Sequence, residues 1–444
     1  MKMSRQSAVN KPERNHRSLS EWVQIVEGLH PRNIEMGLER IRVVKERLGI
    51  RFDCPVITVG GTNGKGSTSA MLQTIYGEAG YKTGLYSSPH IHFFNERMKI
   101  DGKMVDDETL VHYFEVIEEV RGDVPLTFFE FTTLVAFKLF ADSHLDVLVL
   151  EVGLGGRLDA VNLIDADIAI VTNVAIDHVE YLGDTREKIG FEKAGIYRQG
   201  KTAFYGDIDP PESLLAHAAS VGARLKVFGT DYRFETDGDH WDYLGEKSSY
   251  ASLVPPSLKG DTQIHNATTV VAAVEALQQR LPVDAAAIER GIMKTELPGR
   301  FQILQNEPSV ILDVAHNPHA AAVLAKNLKD MGPFHATHAV FGAMSDKDID
   351  GVIELMKGCV DRWYVTDLPL PRAATAEALK DKLISAGVTR GKTNQCISVY
   401  HNAVDAMTSA KNNAQKNDRI VAFGSFWVVT GVTEEGDLKP TNHR

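Results

Sequence analysis

The run Val59-Gly60-Gly61-Thr62-Asn63-Gly64-Lys65-Gly66-Ser67 carries the residue types that a phosphate site needs. Glycines between a strand and a helix let backbone N–H groups turn inward and cradle an anion. Lys65 adds a point charge for the outer phosphates, and Ser67 or Thr68 a hydroxyl for a cation. The stretch Thr62 to Ser67 therefore predicts a bound nucleoside triphosphate. It departs from the common phosphate loop, which has Gly at the position of Val59 and Ser or Thr directly after the lysine. Here Gly66 intervenes.

Further polar residues stand just past apolar runs. Glu151 ends one run and leads into Val152-Gly153-Leu154-Gly155-Gly156-Arg157-Leu158-Asp159. A carboxylate at the carboxyl end of a parallel strand faces the crevice where ligands bind. It is either a magnesium ligand or the cap of a glycine-rich turn. His178 follows the next run, as a ligand or as an ordinary histidine. Lys193, in Phe191-Glu192-Lys193-Ala194-Gly195, reads from its position as a lysine near a helix C-terminus, where its charge suits the dipole. Asp313-Val314-Ala315-His316-Asn317-Pro318-His319 is both a candidate polar site and a helix start, with Asn317 as cap and Pro318 in the first turn. Gly424-Ser425-Phe426 is similarly placed but uninformative by itself.

The elements that must position these residues alternate. Apolar strand runs stand at 55–59, 145–152 and 167–172, and helical patterns at 67–79, 106–120, 128–141, 186–196 and 265–279. Continuous apolar strands such as Val147-Leu148-Val149-Leu150 suit a parallel sheet covered on both faces. Ahead of them, Ser18 or Ser20 caps a short helix. A second helix places Ile34, Leu38, Ile41, Val44 and Leu48 on one face. Residues 229–260 read as an irregular or antiparallel excursion. Strands at 309–313, 337–342, 361–366, 396–400 and 419–424 predict a second α/β unit. The expected division is a disordered lead over 1–17, a P-loop-type parallel-sheet unit over 18–296, a hinge at 297–300 and a smaller Rossmann-like unit over 301–444.

Composition narrows the class. At 444 residues the chain accommodates two or three domains. A net charge of −11 argues against general nucleic-acid binding. Cys54, Cys359 and Cys396 show no metal-ligand spacing and read as free thiols in a reducing compartment. The basic start, Met1 to Arg17, has no apolar run after it and is not read as a secretory signal. No stretch approaches a membrane span, so the cytoplasm is the default location.

In order, these motifs resemble the Mur ligase superfamily. Gly61 to Ser67 is similar to its phosphate loop. Ser87-Ser88-Pro89-His90, Glu151 to Asp159, Asp177-His178, Glu192 to Ile196, Leu297-Pro298-Gly299-Arg300-Phe301, Asp313 to His319 and Gly424-Ser425-Phe426 resemble its folylpolyglutamate synthase branch. The resemblance spans roughly residues 20–430. It implies an ATP-dependent amide ligase that activates a carboxylate as an acyl phosphate for attack by glutamate. The implied substrates are dihydropteroate, reduced folates and L-glutamate, and the implied state is a monomer.

The resemblance also assigns roles. Thr62, Asn63, Gly64, Lys65, Gly66 and Ser67 hold the phosphates, Asn266 meets the adenine, and Arg300 and Asp313 reach the nucleotide. Ser87 and Glu151 take one magnesium and His178 a second. Lys193 is carried as a carbamate, which replaces the plain-lysine reading. His316 and Ser425 bind glutamate, and Lys65, Lys193 and His316 form the catalytic set. Pteroate contacts are implied at Glu35-Met36-Gly37-Leu38, Thr127-Phe128-Phe129-Glu130 and Leu158-Asp159-Ala160. Glu35 departs from the family, whose bifunctional members carry Asp there. Two other classes compete. A nucleotide switch or kinase accounts for the loop but not for Glu151, His178 and the second α/β unit. A ligase for cell-wall precursors lacks the Ser-Ser-Pro-His segment.

Overall fold

The structure, a computed structural model, describes residues 17–32, 34–388 and 396–434. The lead expected over 1–17 lies, but for Arg17, outside them.

Eight strands form the first sheet, in the order Lys103–Met104, Met98–Ile100, Thr83–Tyr86, Val147–Glu151, Val56–Gly60, Ile168–Val171, Thr202–Tyr205 and Arg224–Val227. All pairs from Thr83–Tyr86 onward are parallel. The central strands are buried along their whole length because helices cover both faces. Helices Asp107–Arg121 and Phe128–Asp142 close one face, and Lys65–Glu78, Asp261–Leu277 and Ala285–Lys294 the other. Gly291 lets the last of these approach closely: a Cβ there would stand 2.5 Å from Ile75 Cγ1. Helix Lys65–Glu78, which begins at the phosphate loop, is thereby held between sheet and helices.

Six strands form the second sheet, in the order Gln302–Asn306, Ser309–Leu312, Arg419–Phe423, Thr337–Phe341, Arg362–Thr366 and Cys396–Tyr400. Only the first pair is antiparallel among these. It too has an apolar cluster on each face. The molecule is thus the expected α/β pair of parallel sheets, the C-terminal one smaller.

Several local expectations need correction. The helix predicted to include Ile34 runs over Glu39–Leu48, because Gly37 (φ 147°) breaks the chain direction and Leu38 is only its N-cap. The loop helix starts at Lys65 rather than Ser67, directly after Gly64 (φ 85°). The helix expected from 265 starts at Asp261, after Gly260 (φ 104°). Of the two alternatives for residues 229–260, the antiparallel one holds: 233–253 form a three-stranded antiparallel sheet. Strand Thr83–Tyr86 escapes a pattern search because it is four residues long and holds Gly84. That glycine is required: a Cβ there would lie 2.4 Å from Leu145 Cδ1.

Candidate active site

Three strands end side by side. Val59 pairs with Glu151 on one side, and Gly60 with Val171 on the other. Their carboxyl ends carry the phosphate loop, Glu151 and Thr172-Asn173. The loop is tied to its neighbour. Thr62 N donates to Asn173 O (3.0 Å), Asn63 N to Asn173 Oδ1 (3.0 Å) and Thr172 Oγ1 to Asn63 O (2.6 Å). A Cβ on Gly61 (φ 137°) would stand 1.9 Å from Thr172 Oγ1, so that position requires glycine. No side chain caps helix Lys65–Glu78, which leaves its first N–H groups and positive dipole end for an anion. Lys65 Nζ folds back to Gly61 O (3.1 Å) and Thr62 O (3.2 Å).

A small pocket opens beside the loop, lined by Gly61, Thr62 and Lys65, by Val152 to Gly155, and by Asp177, His178, Leu182 and Lys193. Its groups are electrostatically shifted by burial. Lys193, 4 % exposed, donates to Gly61 O (2.9 Å); burial, with the charge of Lys65 beside it, lowers its pKa to about 7. Burial also lowers Lys65, against the pull of Glu151 and Asp177. It raises Glu151 to about 7 and Asp159 to about 6. His178, in a left-handed conformation (φ 51°), is lowered to about 4 by desolvation and by the nearby charges of Lys347 and Lys65, against the pull of Asp177, and is therefore neutral, the form that binds metal.

The second half of the chain reaches this pocket. Arg300 lies against the loop: a Cβ on Gly66 would stand 3.8 Å from Arg300 Nη2 and 3.9 Å from Glu151 Oε1. Asp313 accepts from Phe301 N (2.9 Å) and Ala315 N (2.7 Å), and its buried carboxyl is pushed up although Arg300 opposes this. His316 Nε2 lies 3.5 Å from Asp177 Oδ2. Asn317 caps helix Pro318–Asp330 and donates from Nδ2 to Asn63 Oδ1 (3.1 Å) and Asp177 Oδ2 (3.2 Å). The expected cap is present, and the same segment brings His316 and Asn317 to Asp177. Asn266 packs on Gly64, where a Cβ would stand 2.8 Å from its Oδ1. Ser425 is buried, and its Oγ accepts from Trp427 N (3.2 Å) at the start of the last described helix.

The remaining predicted residues gather on the other side of the glycine-rich turn. Thr127 and Glu130 form a capping box. Arg40 joins Glu130 Oε1 (3.1 Å) to Glu35 Oε1 (2.5 Å). Phe129 lies over Gly153, where a Cβ would be 2.5 Å from its ring, and Met36 Cε is 3.9 Å from a Cβ on Gly155. Gly37 and Leu38 form the turn into helix Glu39–Leu48. Phe128 is half-buried, with the Arg97 guanidinium 5.4 Å from its ring centre. Asp159 accepts from Leu154 N (2.8 Å) and Val161 N (2.9 Å), shaping the turn that carries Leu158 and Ala160. Ser87 Oγ donates to Glu96 O (3.4 Å), and Ser88 N to Glu151 Oε2 (3.4 Å).

Sequence reasoning passed over Lys347, whose Nζ is 2.5 Å from Asp177 Oδ1. Its signal was the polar triplet Asp346-Lys347-Asp348 in the loop after strand Thr337–Phe341. Arg40 and Asn173 were also passed over.

Among the described residues no three His, Cys, Asp or Glu side chains converge to hold a metal ion. Magnesium does not need such a cage, since it is held by one or two protein ligands together with water and substrate phosphates. Glu151, with one long hydrogen bond, and the neutral His178 fit that requirement. Buried Thr68 Oγ1, without a hydrogen-bond partner among the described residues, is a further free oxygen near the loop.

Comparison with known proteins bears on this geometry. The Mur ligase middle-domain model matches residues 59–274, and the Mur ligase glutamate ligase domain model matches 299–426. The Escherichia coli dihydrofolate synthase/folylpolyglutamate synthase is 40% identical over 422 residues, covering 95% of this chain and 96% of its own. The structure of E. coli FolC in complex with DHPP and ADP superposes with a TM-score of 0.88, covering 94% of this chain and 97% of that one. A bifunctional folylpolyglutamate synthase/dihydrofolate synthase with Mn, AMPPNP and L-glutamate bound superposes with a TM-score of 0.85 at 39% identity, over 94% and 97% of the two chains. The chain therefore belongs to the Mur ligase superfamily, within its dihydrofolate synthase/folylpolyglutamate synthase family.

Proposed function

We propose that this chain joins L-glutamate to dihydropteroate, making dihydrofolate, and to reduced folates, extending their glutamate tails, with ATP cleaved to ADP and phosphate. The observation that carries this is the position of Arg300. It leaves the segment between the two halves and lies against the phosphate-loop Gly66, beside which Glu151 also stands, and its charge is felt at that carboxyl. Loop, carboxylate and second half thus share one point, as a reaction between a triphosphate, an acid and an amine requires.

The substrate carboxylate attacks the terminal phosphoryl group of ATP, giving an acyl phosphate and ADP. Both reactants are anions. Lys65, Arg300 and the N-terminus of helix Lys65–Glu78 offset their repulsion. Magnesium, held by Ser87 and Glu151 and by His178, would supply further positive charge at the phosphates. The amine of glutamate then attacks the acyl carbon, and phosphate leaves with the bonding electrons of the C–O bond. His316 and Ser425 bind the incoming glutamate. Thr62 to Ser67, Asn266 and Asp313 bind the nucleotide. The groups Glu35 to Leu38, Thr127 to Glu130 and Leu158 to Ala160 surround the pteroate.

Lys193 is carried as a carbamate. An amine with a pKa of about 7 is present in substantial part as the neutral form near pH 7, and only a neutral amine attacks carbon dioxide. The product is an anion, formed with release of one proton, in place of an ammonium crowded by Lys65. Closure of the second half over the loop excludes water, which would otherwise hydrolyse the acyl phosphate. The division into 18–296, 297–300 and 301–444 follows from the same reading, with the short segment around Gly299 as hinge.

The test is ADP release. It should require dihydropteroate and glutamate together. Sustained ADP release, beyond one equivalent per enzyme, that is no faster with glutamate than without it, or that occurs only with a cell-wall precursor, would refute the assignment. Parallel runs with dihydropteroate and a reduced folate, with product mass measured, separate the two activities.

A further inference from the structure

Between Ser87 and Arg97 the chain leaves the first sheet, touches the second half and returns. The ends of this loop are joined: Ser87 N donates to Arg97 O (3.0 Å), and Ser87 Oγ to Glu96 O (3.4 Å). Glu96 gathers the tip. Its carboxylate accepts the backbone N–H groups of Ile91, His92 and Phe93, each at 2.8 Å. Arg97 Nε donates to His90 Nδ1 (2.8 Å). A loop packed and bonded by its own side chains moves as one body.

The tip is anchored in the other half. Ile91 is 7% exposed and belongs to the apolar cluster of Val310, Leu312, Val314, Val428 and Val429, not to either cluster of the first sheet. Thr430 Oγ1 donates to Ile91 O (2.7 Å), and Thr433 Oγ1 lies 3.3 Å from His92 Nε2. Ile91 also meets the connecting segment: a Cβ on Gly299 (φ 68°) would stand 3.3 Å from Ile91 Cδ1. At its root, the loop carries Ser87 and the Ser88 N–H that bonds Glu151.

We propose that the Ser87–Arg97 loop is a strap that couples the seating of the second half to the pair Ser87 and Glu151, with Ile91 and Glu96 as positioning residues. This rests on the reading of that pair as a magnesium site. Any shift of the second half about Gly299 must either extract Ile91 from its cluster or drag the strap with it. Because Glu96 and Arg97 hold the loop closed, the displacement is delivered to Ser87 instead of being absorbed at the tip. The cation site is then complete only when the second half is seated, which restrains ATP cleavage in an open enzyme.

The probe is Mn2+, titrated into the full chain with a non-hydrolysable ATP analogue and read by electron paramagnetic resonance. Ile91→Ala and Thr430→Val should weaken Mn2+ binding by about fivefold or more, the low end of coupling between linked sites. Ile91→Leu should restore it to within about twofold. A merely structural role would lower the melting temperature of Ile91→Ala and leave Mn2+ affinity unmoved. Wild-type Mn2+ affinity in both Ile91→Ala and Thr430→Val overturns the strap. Where Ile91→Ala does not fold, Thr430→Val decides alone, since it removes one hydroxyl with little change of shape. Ser87→Ala in the same titration tests the metal reading by itself. If it binds Mn2+ normally, both ideas fall; if it loses Mn2+ while the strap variants do not, only the strap falls.

Discussion

Lys347 Nζ lies 2.5 Å from Asp177 Oδ1, and the two residues come from opposite halves of the chain. Both are nearly buried, with side chains 10% and 7% exposed. Asp177 also takes His316 and Asn317 from the second half, and sits next to His178. Burial opposes its charge, yet the hydrogen bond from His316 and the charge of Lys347 hold it well below the usual carboxylate range. One carboxylate thus clamps the second half onto the phosphate-loop side.

Removing the lysine should loosen the clamp. Lys347→Met is expected to lower glutamate-dependent ADP release by about tenfold to a hundredfold through misplacement of the reacting groups. In thermal melts, the double variant with Asp177→Asn should recover part of the lost stability, with a coupling of about 1–3 kcal/mol between the two sites. Strictly additive losses would show that the pair does not act as a unit.

Lys193→Ala should fold and bind nucleotide but fail in ligation, with turnover down by about a hundredfold or more. Formate or carbonate should restore part of it by standing in for the missing anion. Full turnover in the variant without either addition would remove the carbamate from the scheme. Lys65→Ala should lose ATP turnover outright.

The carboxyl of Glu151 gives a pH signature. Its pKa is raised from 4.5 to about 7 by burial, so the folded state binds its proton more tightly than the unfolded chain. Its contribution to stability is full below 4.5 and is lost as pH rises through about 7. A divalent cation demands the ionised form, so metal affinity runs in the opposite sense. Mn2+ affinity should fall by about tenfold for each pH unit below 7. An affinity independent of pH between about 5 and 7 would contradict the assignment of Glu151 as a ligand.

Gly61→Ala tests the loop geometry. The added Cβ would meet Thr172 Oγ1 at 1.9 Å, from a backbone at φ 137°. The expected outcome is a stability loss of about 1–3 kcal/mol by denaturant titration, with nucleotide affinity lost more steeply than stability. Normal nucleotide binding would mean that the loop can adopt another shape.

Much of this molecule is readable from its residues. Buried parallel strands announce themselves as unbroken apolar runs, and Val147 to Leu150 is one. Loop chemistry is local, so Gly61 to Ser67 reads as a glycine-rich turn from strand to helix, which the structure has, and Gly66 separates it from the common pattern. Asn317 followed by Pro318 marks a helix start wherever it occurs. These features depend on neighbours a few residues away, and sequence records such neighbours.

Other features are set between residues far apart in the chain. Nothing near Lys193 shows that burial beside Lys65 lowers its pKa to about 7; by position alone it is an ordinary helical lysine. Glu35 gives no local sign that Arg40 will tie it to Glu130. Lys347 acquires a role only when Asp177, 170 residues earlier, is brought to meet it. Thr83–Tyr86 becomes a strand because Leu145 and Leu148 fill the space beside Gly84, against its weak local preference. Side-chain type and spacing determined the chemistry available to this protein. Which groups are desolvated, paired and brought across from the second half was decided by the tertiary structure, because burial and distance exist only once the two sheets have packed.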